Sequence, residues 1–179
     1  YKEIMLESLD ENGWILDPFI TFLDFTVGNK CNLICRMCNI ENSNLWEKES
    51  NLLYGQNFEV PTKNVSVDER FLSDKFFEEN FMHLKQINFL GGEPLIIKEH
   101  VDFLQQCIKH DIAKNIVLFY TTNLTVLKNE LFDLWDQFGH TYLGVSIDGY
   151  GEVDDYIRYP SKWEKLEKNI KTVSKWRKE

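Results

Sequence analysis

The sequence predicts an α/β protein with a parallel β-sheet, and two observations lead to this fold class. Four runs rich in β-branched and aromatic residues alternate with segments that show helical periodicity. Each run is followed by residues that favour turns, such as glycine, asparagine and aspartate. Strands joined by helices pair in parallel through right-handed crossovers, so this alternation predicts one parallel sheet. Ligands of such sheets bind beyond the carboxyl ends of the strands.

The composition is that of a single globular domain. The chain has 179 residues, of which 43% are hydrophobic and 27% are charged, and this is enough for one hydrophobic core. Its formal net charge of −9 argues against nucleic acid as a partner, because that binding depends on basic patches. No apolar run reaches the length of about 20 residues that a membrane-spanning helix needs. We therefore expect neither nucleic acid nor a membrane as a partner.

The start of the chain carries neither a secretory signal nor an initiator methionine. We therefore expect a fragment or a processed piece of a longer polypeptide. Three of the four cysteines fall within eight residues, and they lack distant partners for a disulfide framework. The expected location is the reducing cytoplasm.

The predicted domain organisation has two parts. Residues 1–19 form an N-terminal lead-in of mixed character, with a short helix at Glu3–Leu9. Residues 20–179 form the core, in which strands and helices alternate regularly. An irregular and helical insertion interrupts this core at about residues 50–84.

Periodicity identifies the elements of the core. The first strand alternates apolar with polar or β-branched residues, and the third is a continuous apolar run, which is typical of a strand buried on both faces. Amphipathic stripes at helical spacing identify the helices between the strands. The predicted elements are a strand at Ile20–Val27, a helix from Arg36–Cys38 to Glu49, an irregular segment at 50–67, a helix at Asp68–Leu84, a strand at Gln86–Leu90, a helix at Glu99–His110, a strand at Ile116–Tyr120, a helix at Lys128–Phe138, a strand at Tyr142–Ile147 and a helix from Ser161.

Two of these helices begin with capping signals. Asp68 is placed as the N-cap of its helix. Ser161 and Glu164 have the spacing of a capping box at the start of the last helix. The apolar stripe of that helix, from Trp163 to Val173, is expected to pack on the sheet.

The loop after the first strand carries a chemical signature. Cys31, Cys35 and Cys38 have the spacing C-x3-C-x2-C, and thiolates this close can hold soft iron or zinc. No fourth ligand is near in sequence, so the spacing favours a metal centre with the open coordination position that a catalytic site needs. Cys107 lies far along the chain and is expected to be a small buried hydrophobic residue. The structural alternative is a Cys3His zinc site completed by His83, His100, His110 or His140.

A second signature follows the second strand. Gly91 and Gly92 form a turn with little side-chain bulk, which would let a ligand approach the backbone closely. Glu93 adds a carboxylate, and Pro94 stiffens the exit from the turn. Taken alone, the two glycines favour an ordinary strand-to-helix turn.

Together the two signatures resemble the radical S-adenosylmethionine (SAM) superfamily, whose members carry C-x3-C-x2-C after the first barrel strand and Gly-Gly-Glu-Pro after the second. The resemblance covers Phe22 to Pro160 and is closest to the branch with a twitch or SPASM auxiliary-cluster domain. The stretches that indicate this branch are Cys35–Cys38, Tyr120–Leu124, Ser146–Gly149 and Asp155–Pro160.

The resemblance implies a parallel-stranded partial (β/α) barrel with about four of the six expected βα units. Strands five and six have no counterpart, nor has a cysteine-rich C-terminal domain. At about 30 residues per βα unit, the missing barrel part is about 60 residues. We expect the rest of a longer chain to supply it.

The implied function is that of a radical SAM enzyme. Cys31, Cys35 and Cys38 would bind three irons of a [4Fe–4S] cluster, and SAM would chelate the fourth. Reductive cleavage of SAM would give a 5′-deoxyadenosyl radical that takes a hydrogen atom from the substrate. The branch implies a peptide or protein substrate, and a one-electron reductant such as flavodoxin or ferredoxin is required. No residue is needed as a general acid or base.

The resemblance also implies contacts with SAM. Met37 would lie near the adenine, and Glu93 would face the ammonium with support from the backbone of Gly91 and Gly92. Pro94 is a further candidate for SAM binding. The candidates for the ribose and the methionyl carboxylate are Asn123, Ser146, Asp148 and Arg158. Three of them have a structural alternative: a turn residue for Asn123, a small strand residue for Ser146, and a surface ion pair with Asp154 or Asp155 for Arg158.

Two competing functions remain at this point. One is an activase that generates a glycyl radical on a partner protein. The other is a non-catalytic module that uses the three cysteines for structural zinc or for electron transfer. Metal analysis separates the module from the enzyme, because a zinc module binds no iron and an enzyme binds about four irons with sulfide.

Overall fold

The computed structural model describes residues 9–16, 18–26, 28–55 and 69–176. Within these ranges, four parallel strands form one sheet in the order β1-β2-β3-β4. The parallel α/β architecture predicted from the sequence is therefore confirmed. The strands are β1 at Phe22–Thr26, β2 at Gln86–Leu90, β3 at Val117–Thr122 and β4 at His140–Val145.

Helices connect the strands and follow the last of them. Most are short, and three further single turns of 3₁₀ helix lie at Glu69–Leu72, Pro94–Ile96 and Ala113–Asn115. The α-helices are α1 at Trp46–Tyr54, α2 at Asp74–Asn80, α3 at Lys98–Lys109, α4 at Glu130–Trp135, α5 at Glu152–Ile157 and α6 at Trp163–Trp176. No helix in the described ranges is long and apolar enough to span a bilayer.

The hydrophobic core lies between one face of the sheet and the helices. Ile87, Phe89 and Leu118 point from the sheet into this core and are fully buried. Phe103 of α3 and Trp135 of α4 meet them from the helical layer. Burial of these large apolar side chains is the main stabilising contribution to the fold.

The opposite face of the sheet is open, which corrects one prediction. The apolar run of the third strand indicated burial on both faces, but only Leu118, Tyr120 and Thr122 of β3 are buried. Phe119 on the other face is half-buried, and Thr121 is exposed. Apolar composition alone does not specify a second covering layer, and no described element covers this face.

The helix after the cysteines begins later than predicted. The sequence placed its start at Arg36–Cys38, whereas α1 begins at Trp46. The backbone between them is held in a loop, because Ile34 N donates to Tyr159 O and Arg36 N donates to Ile157 O. A segment whose amides pair with another segment cannot close helical hydrogen bonds.

The helix predicted at Asp68–Leu84 is divided into two shorter pieces. Ser73 separates a 3₁₀ turn from α2, and its hydroxyl accepts a hydrogen bond from Phe76 N while donating to Arg70 O. Ser73 is thus the N-cap of α2, in a region where the sequence indicated continuous helix. Asp68 lies outside the described residues, as do residues 1–8, Asp17, Val27 and residues 56–67.

The C-terminal elements differ from prediction in three ways. The helix predicted at Lys128–Phe138 is shorter, at Glu130–Trp135, and α5 was not predicted because six residues are too few to establish a period. The predicted capping box at Ser161 and Glu164 is not formed. Instead, Asp155 Oδ1 accepts from Trp163 N at 2.5 Å, so a residue eight positions upstream stabilises the start of α6.

Candidate functional site

The cysteine loop lies at the carboxyl edge of the sheet, directly after β1. Two side-chain contacts join the start of the loop to the segment after it: Cys31 N donates to Asn44 Oδ1 at 3.1 Å, and Ser43 Oγ donates to Leu33 O at 2.7 Å. The two backbone hydrogen bonds to Ile157 and Tyr159 fix its middle. These anchors limit how far the cysteines can move.

The three cysteines of the loop are free thiols. Burial raises the pKa of the Cys31 thiol. Burial and then the nearby Cys38 raise the pKa of Cys35 to about 12, and Arg158 partly opposes this increase. At neutral pH Cys31 and Cys35 are thiols unless a metal displaces their protons, as soft metals do.

The donor set fits a cluster better than a single ion. Among the described residues, no group of three or more His, Cys, Asp or Glu side chains is placed to hold one metal ion. In a [4Fe–4S] cluster each cysteine binds a different iron, so the sulfurs do not have to converge on one point. Three thiols on one loop, with a cationic group beside Cys35, therefore suit an anionic iron–sulfur cluster.

The histidines offer no support for the zinc alternative. Nε2 of the fully buried His100 lies 2.7 Å from Tyr120 Oη. The other three rings contact aromatic neighbours, in the pairs His83 with Phe19, His110 with Phe77 and His140 with Tyr142. None of the four belongs to a described metal-binding group with the cysteines.

The two glycines after β2 are required by backbone packing. A Cβ atom on Gly91 would lie 2.4 Å from Gly28 O, and one on Gly92 would lie 2.2 Å from Lys30 O. Gly92 N also donates to Gly28 O, and Glu93 N donates to Lys30 O. The close approach that the glycines permit is therefore made by the segment that leads into the cysteine loop.

Glu93 is buried and bonded on both carboxylate oxygens. Oε1 accepts from Thr122 Oγ1 at 2.6 Å and from Leu95 N at 3.1 Å, while Oε2 accepts from Asn123 N at 2.7 Å. Burial raises the pKa of this carboxyl group, and these hydrogen bonds counteract part of the increase. A carboxylate has about four acceptor positions, so one remains for a further donor. Contact with the ammonium of SAM stays a prediction.

Asn123 ties the end of β3 to the cysteine loop. Its Nδ2 donates to Asn32 Oδ1 at 3.0 Å and lies 3.9 Å from Cys31 Sγ. Its Oδ1 accepts from Thr125 N at 2.9 Å, as in an Asx turn. The turn alternative is thus observed, and the predicted contact of Asn123 with SAM stays a prediction.

Arg158 makes an ion pair with Asp148 and faces the cysteines. Its Nη2 lies 2.5 Å from Asp148 Oδ2, and its Nη1 lies 4.0 Å from Cys35 Sγ. The alternative partners named from the sequence were wrong. Asp154 is buried and accepts from Asp148 N, and Asp155 caps α6. A half-buried guanidinium beside the sulfur of Cys35 provides positive charge at the site.

The remaining candidates also lie at this edge. Ser146 is half-buried, and its backbone N donates to Thr122 O at 2.9 Å. Pro94 is buried at the start of a 3₁₀ turn that Glu93 caps, and Met37 is 56% exposed on the turn of the cysteine loop. The roles of Met37 and Ser146 toward SAM stay predictions.

Sequence reasoning missed the polar residues that hold the loop and the turn. Asn32 Nδ2 donates to Thr125 Oγ1 at 2.8 Å, and Asn29 Nδ2 donates to Ile40 O at 3.0 Å. The Thr122 hydroxyl donates to Glu93 and accepts from Leu124 N, so it joins the carboxylate to the backbone after β3. The available signal was the number of asparagine and threonine residues directly after the strands.

Sequence relatives place the chain among known proteins. It is 30% identical over 132 residues to GTP 3′,8-cyclase of Sulfurimonas denitrificans, and this alignment covers 74% of the present chain and 36% of the relative. It is 28% identical over 165 residues to GTP 3′,8-cyclase of Aliarcobacter butzleri, and this alignment covers 90% of the present chain and 46% of the relative. The chain thus spans less than half the length of these relatives.

Solved structures share the fold. The structure of native anSMEcpe with bound AdoMet superposes with a TM-score of 0.59 at 19% identity, covering 89% of this chain and 42% of that one. Streptococcus suis SuiB bound to precursor peptide SuiA superposes with a TM-score of 0.57 at 13% identity, covering 88% of this chain and 31% of that one. At these identities the likeness concerns the fold alone.

The family assignment rests on most of the chain. The Radical SAM superfamily model matches residues 25–176, a range that includes the cysteine loop, the Gly-Gly-Glu-Pro turn and all of β2, β3 and β4. The cofactors expected from the sequence, a [4Fe–4S] cluster and SAM, are those of this family. The chain belongs to the radical SAM superfamily.

Proposed function

We propose that this chain is the cofactor-binding part of a radical SAM enzyme that abstracts a hydrogen atom from a peptide or protein. The observation that carries the proposal is the loop of three free cysteines, anchored at the carboxyl edge of a parallel sheet beside Arg158. When bound, the [4Fe–4S] cluster and SAM would supply the 5′-deoxyadenosyl radical. Cys31, Cys35 and Cys38 would hold the cluster.

The chain's own residues would position the two cofactors. Glu93 has one acceptor position left for the ammonium of SAM, and the glycines before it keep the turn against the cysteine loop. Arg158 and Asp148 form a charged pair near Cys35 that suits the methionyl carboxylate and ribose. Met37, Asn123 and Ser146 complete the proposed SAM contacts.

A peptide or protein is the substrate class that we favour. SuiB, which shares the fold, has been solved bound to the precursor peptide SuiA, and this supports the choice by analogy. The sequence relatives are named GTP 3′,8-cyclase, so a nucleotide is the second candidate. A glycyl-radical activase stays a further alternative within peptide or protein substrates.

We place the protein in the reducing cytoplasm with a flavodoxin or ferredoxin as its reductant. Free, clustered cysteines persist where thiols are kept reduced. The twitch-type auxiliary domain and the remaining barrel strands would come from other parts of a longer polypeptide.

The test is anaerobic reconstitution with iron and sulfide, followed by dithionite and SAM. We expect about four irons per chain and formation of 5′-deoxyadenosine, measured by liquid chromatography. Cys35→Ala should abolish both. Cys107→Ala is the matched control, because Cys107 is fully buried in the core and away from the loop, so iron content should not change.

Two results would contradict the proposal. Binding of zinc without iron would favour the structural module. Equal loss of iron in the Cys35→Ala and Cys107→Ala variants would show that the iron is lost because the fold is destabilised. The iron content would then be no evidence that the cysteine loop binds the cluster.

A further inference from the structure

The open face of the sheet carries an ordered row of side chains. Asp24, Asn88, Phe119 and Tyr142 occupy paired positions on β1, β2, β3 and β4. They lie side by side across the sheet, about 4.8 Å apart from strand to strand. A carboxylate and an amide thus form one half of the row, and two aromatic rings form the other.

The side-chain hydrogen bonds of the polar half all point in one direction along the row. Asn88 Nδ2 donates to Asp24 Oδ1 at 2.8 Å, and Gln86 Nε2 donates to Asn88 Oδ1 at 3.0 Å. A carboxylate only accepts, so Asn88 must turn its NH₂ group toward Asp24 and its oxygen toward Gln86. The hydrogen bonds therefore all run toward Asp24, which keeps further acceptor positions for a ligand.

The aromatic half provides an apolar surface. The rings of Phe119 and Tyr142 stack with centroids 4.7 Å apart and an interplanar angle of 15°. Tyr142 is 47% exposed, so its ring is accessible. Such a pair of rings suits the apolar part of a peptide.

A cavity covers the aromatic half and the Asn88 end of the polar half, and Asp24, which accepts a hydrogen bond from Asn88, lies outside its lining. Its volume is about 510 Å³, and Gln86, Asn88, Phe119 and Tyr142 line it together with Gly144. Gly144 has no side chain to fill the space beside Thr121, which keeps the cavity open toward the carboxyl edge. This volume suits a side chain and part of its backbone.

The charge on this face is one-sided. None of the strand residues that the structure describes on it is lysine or arginine. Within the part of the chain that the structure describes, Asp24 has no ion-pair partner, and the chain as a whole carries a net charge of −9. A polyanion such as a nucleoside triphosphate would be repelled, whereas a cation would be attracted.

We propose that the Asp24–Asn88 row and the Phe119–Tyr142 pair form a subsite for the cationic side chain of a peptide substrate. The ammonium or guanidinium group binds Asp24, the alkyl stem crosses Asn88, and the peptide backbone that carries it lies against the rings of Phe119 and Tyr142, the nearer of which is about 10 Å from Asp24. This inference rests on the proposed function, because it specifies the substrate of the same site.

The test is a binding experiment on the protein reconstituted with iron, sulfide and SAM. The probes are nine-residue peptides with the same dye, which differ only in a central lysine, arginine or glutamate, and GTP serves as competitor. Fluorescence anisotropy should show that the lysine and arginine peptides bind at least about tenfold more tightly than the glutamate peptide. GTP should not displace them.

Variants separate charge from shape. Asp24→Asn keeps an acceptor for Asn88 and removes only the charge, so it should weaken the lysine peptide about tenfold and leave the glutamate peptide unaffected or improved. Tyr142→Leu should weaken both cationic peptides. Asp133→Asn makes the same charge change on α4, at an exposed position away from the face, and should change neither affinity.

Three outcomes would overturn the subsite. They are an unchanged preference for lysine in Asp24→Asn, tighter binding of GTP than of the cationic peptides, and no binding of any peptide because another segment covers the face. No reductant is added, so the result does not depend on radical formation. Failure of the proposed function would appear separately, as missing 5′-deoxyadenosine.

Discussion

The Nη1 atom of Arg158 lies 4.0 Å from the Sγ atom of Cys35, although 123 residues separate them in the sequence. The backbone hydrogen bonds from Ile34 to Tyr159 and from Arg36 to Ile157 hold the two segments side by side. A fixed positive charge therefore faces a proposed iron ligand.

Removal of this charge should make the cluster harder to reduce. In Arg158→Gln we expect the midpoint potential to fall by on the order of tens of millivolts, because reduction adds negative charge that the guanidinium stabilises. Potentiometric titration followed by electron paramagnetic resonance measures it. Arg158→Lys retains the charge and should shift the potential less. An unchanged potential at full iron content in Arg158→Gln would contradict this role.

Replacement of Glu93 should affect both stability and SAM binding. Glu93→Gln replaces one carboxylate oxygen by an NH₂ group. Because Leu95 N donates to one oxygen and Asn123 N donates to the other, this NH₂ group must face a backbone N–H donor. We expect a loss of about 1–3 kcal/mol in the free energy of unfolding, measured by urea denaturation, and weaker SAM binding by calorimetry.

Thr122→Val is the matched control for Glu93. It removes one hydrogen bond to Oε1 but leaves the carboxylate in place. If both variants weaken SAM binding equally, Glu93 acts only as a structural acceptor.

A side chain at position 92 should disrupt the cysteine loop. Gly92→Ala would place its Cβ 2.2 Å from the carbonyl oxygen of Lys30, so the loop backbone must move. We expect a destabilisation of about 2 kcal/mol or more and reduced iron content after reconstitution. Gly151→Ala is the control for backbone strain alone, because its positive φ strains any side chain while its Cβ meets no atom within 4 Å, so it should lower stability and keep the iron content. Full iron content in Gly92→Ala would show that the loop tolerates the shift.

Acid should destabilise the fold through His100. Burial lowers the pKa of His100 to about 3, against about 6.5 in an unfolded chain. Below pH 6.5 the unfolded state gains a proton that the folded state does not bind, so the stability present above about pH 6.5 is lost as the pH falls toward 3. The loss is about 1.4 kcal/mol per pH unit.

Urea denaturation at several pH values measures this effect. Between about pH 6.5 and 5, the protein should lose about 2 kcal/mol more than His100→Gln, which cannot take up the proton. His83→Gln, at an exposed position, serves as the control and should follow the unmodified protein. Parallel pH profiles for the protein and His100→Gln would contradict the assignment.

The sequence by itself determined the sheet and the approximate positions of its strands. The predicted strand at Gln86–Leu90 agrees with β2 at both ends, because a short apolar run bounded by a glycine pair leaves little freedom. Strand-helix alternation was sufficient for the parallel order, and it placed the cysteine loop and Glu93 at the same edge. Local sequence patterns specify these features because the position of a strand and of the turn after it depends mainly on residues that are close in sequence.

Only the tertiary structure decided which side chains meet across that edge. The pairing of Arg158 with Asp148, the three hydrogen bonds to Glu93, and the contact between Asp24 and Asn88 depend on strand register and loop path. The open face was likewise not visible in the apolar run of β3. A period of two residues shows which side chains share a face, but whether another layer covers that face depends on elements far away in the chain.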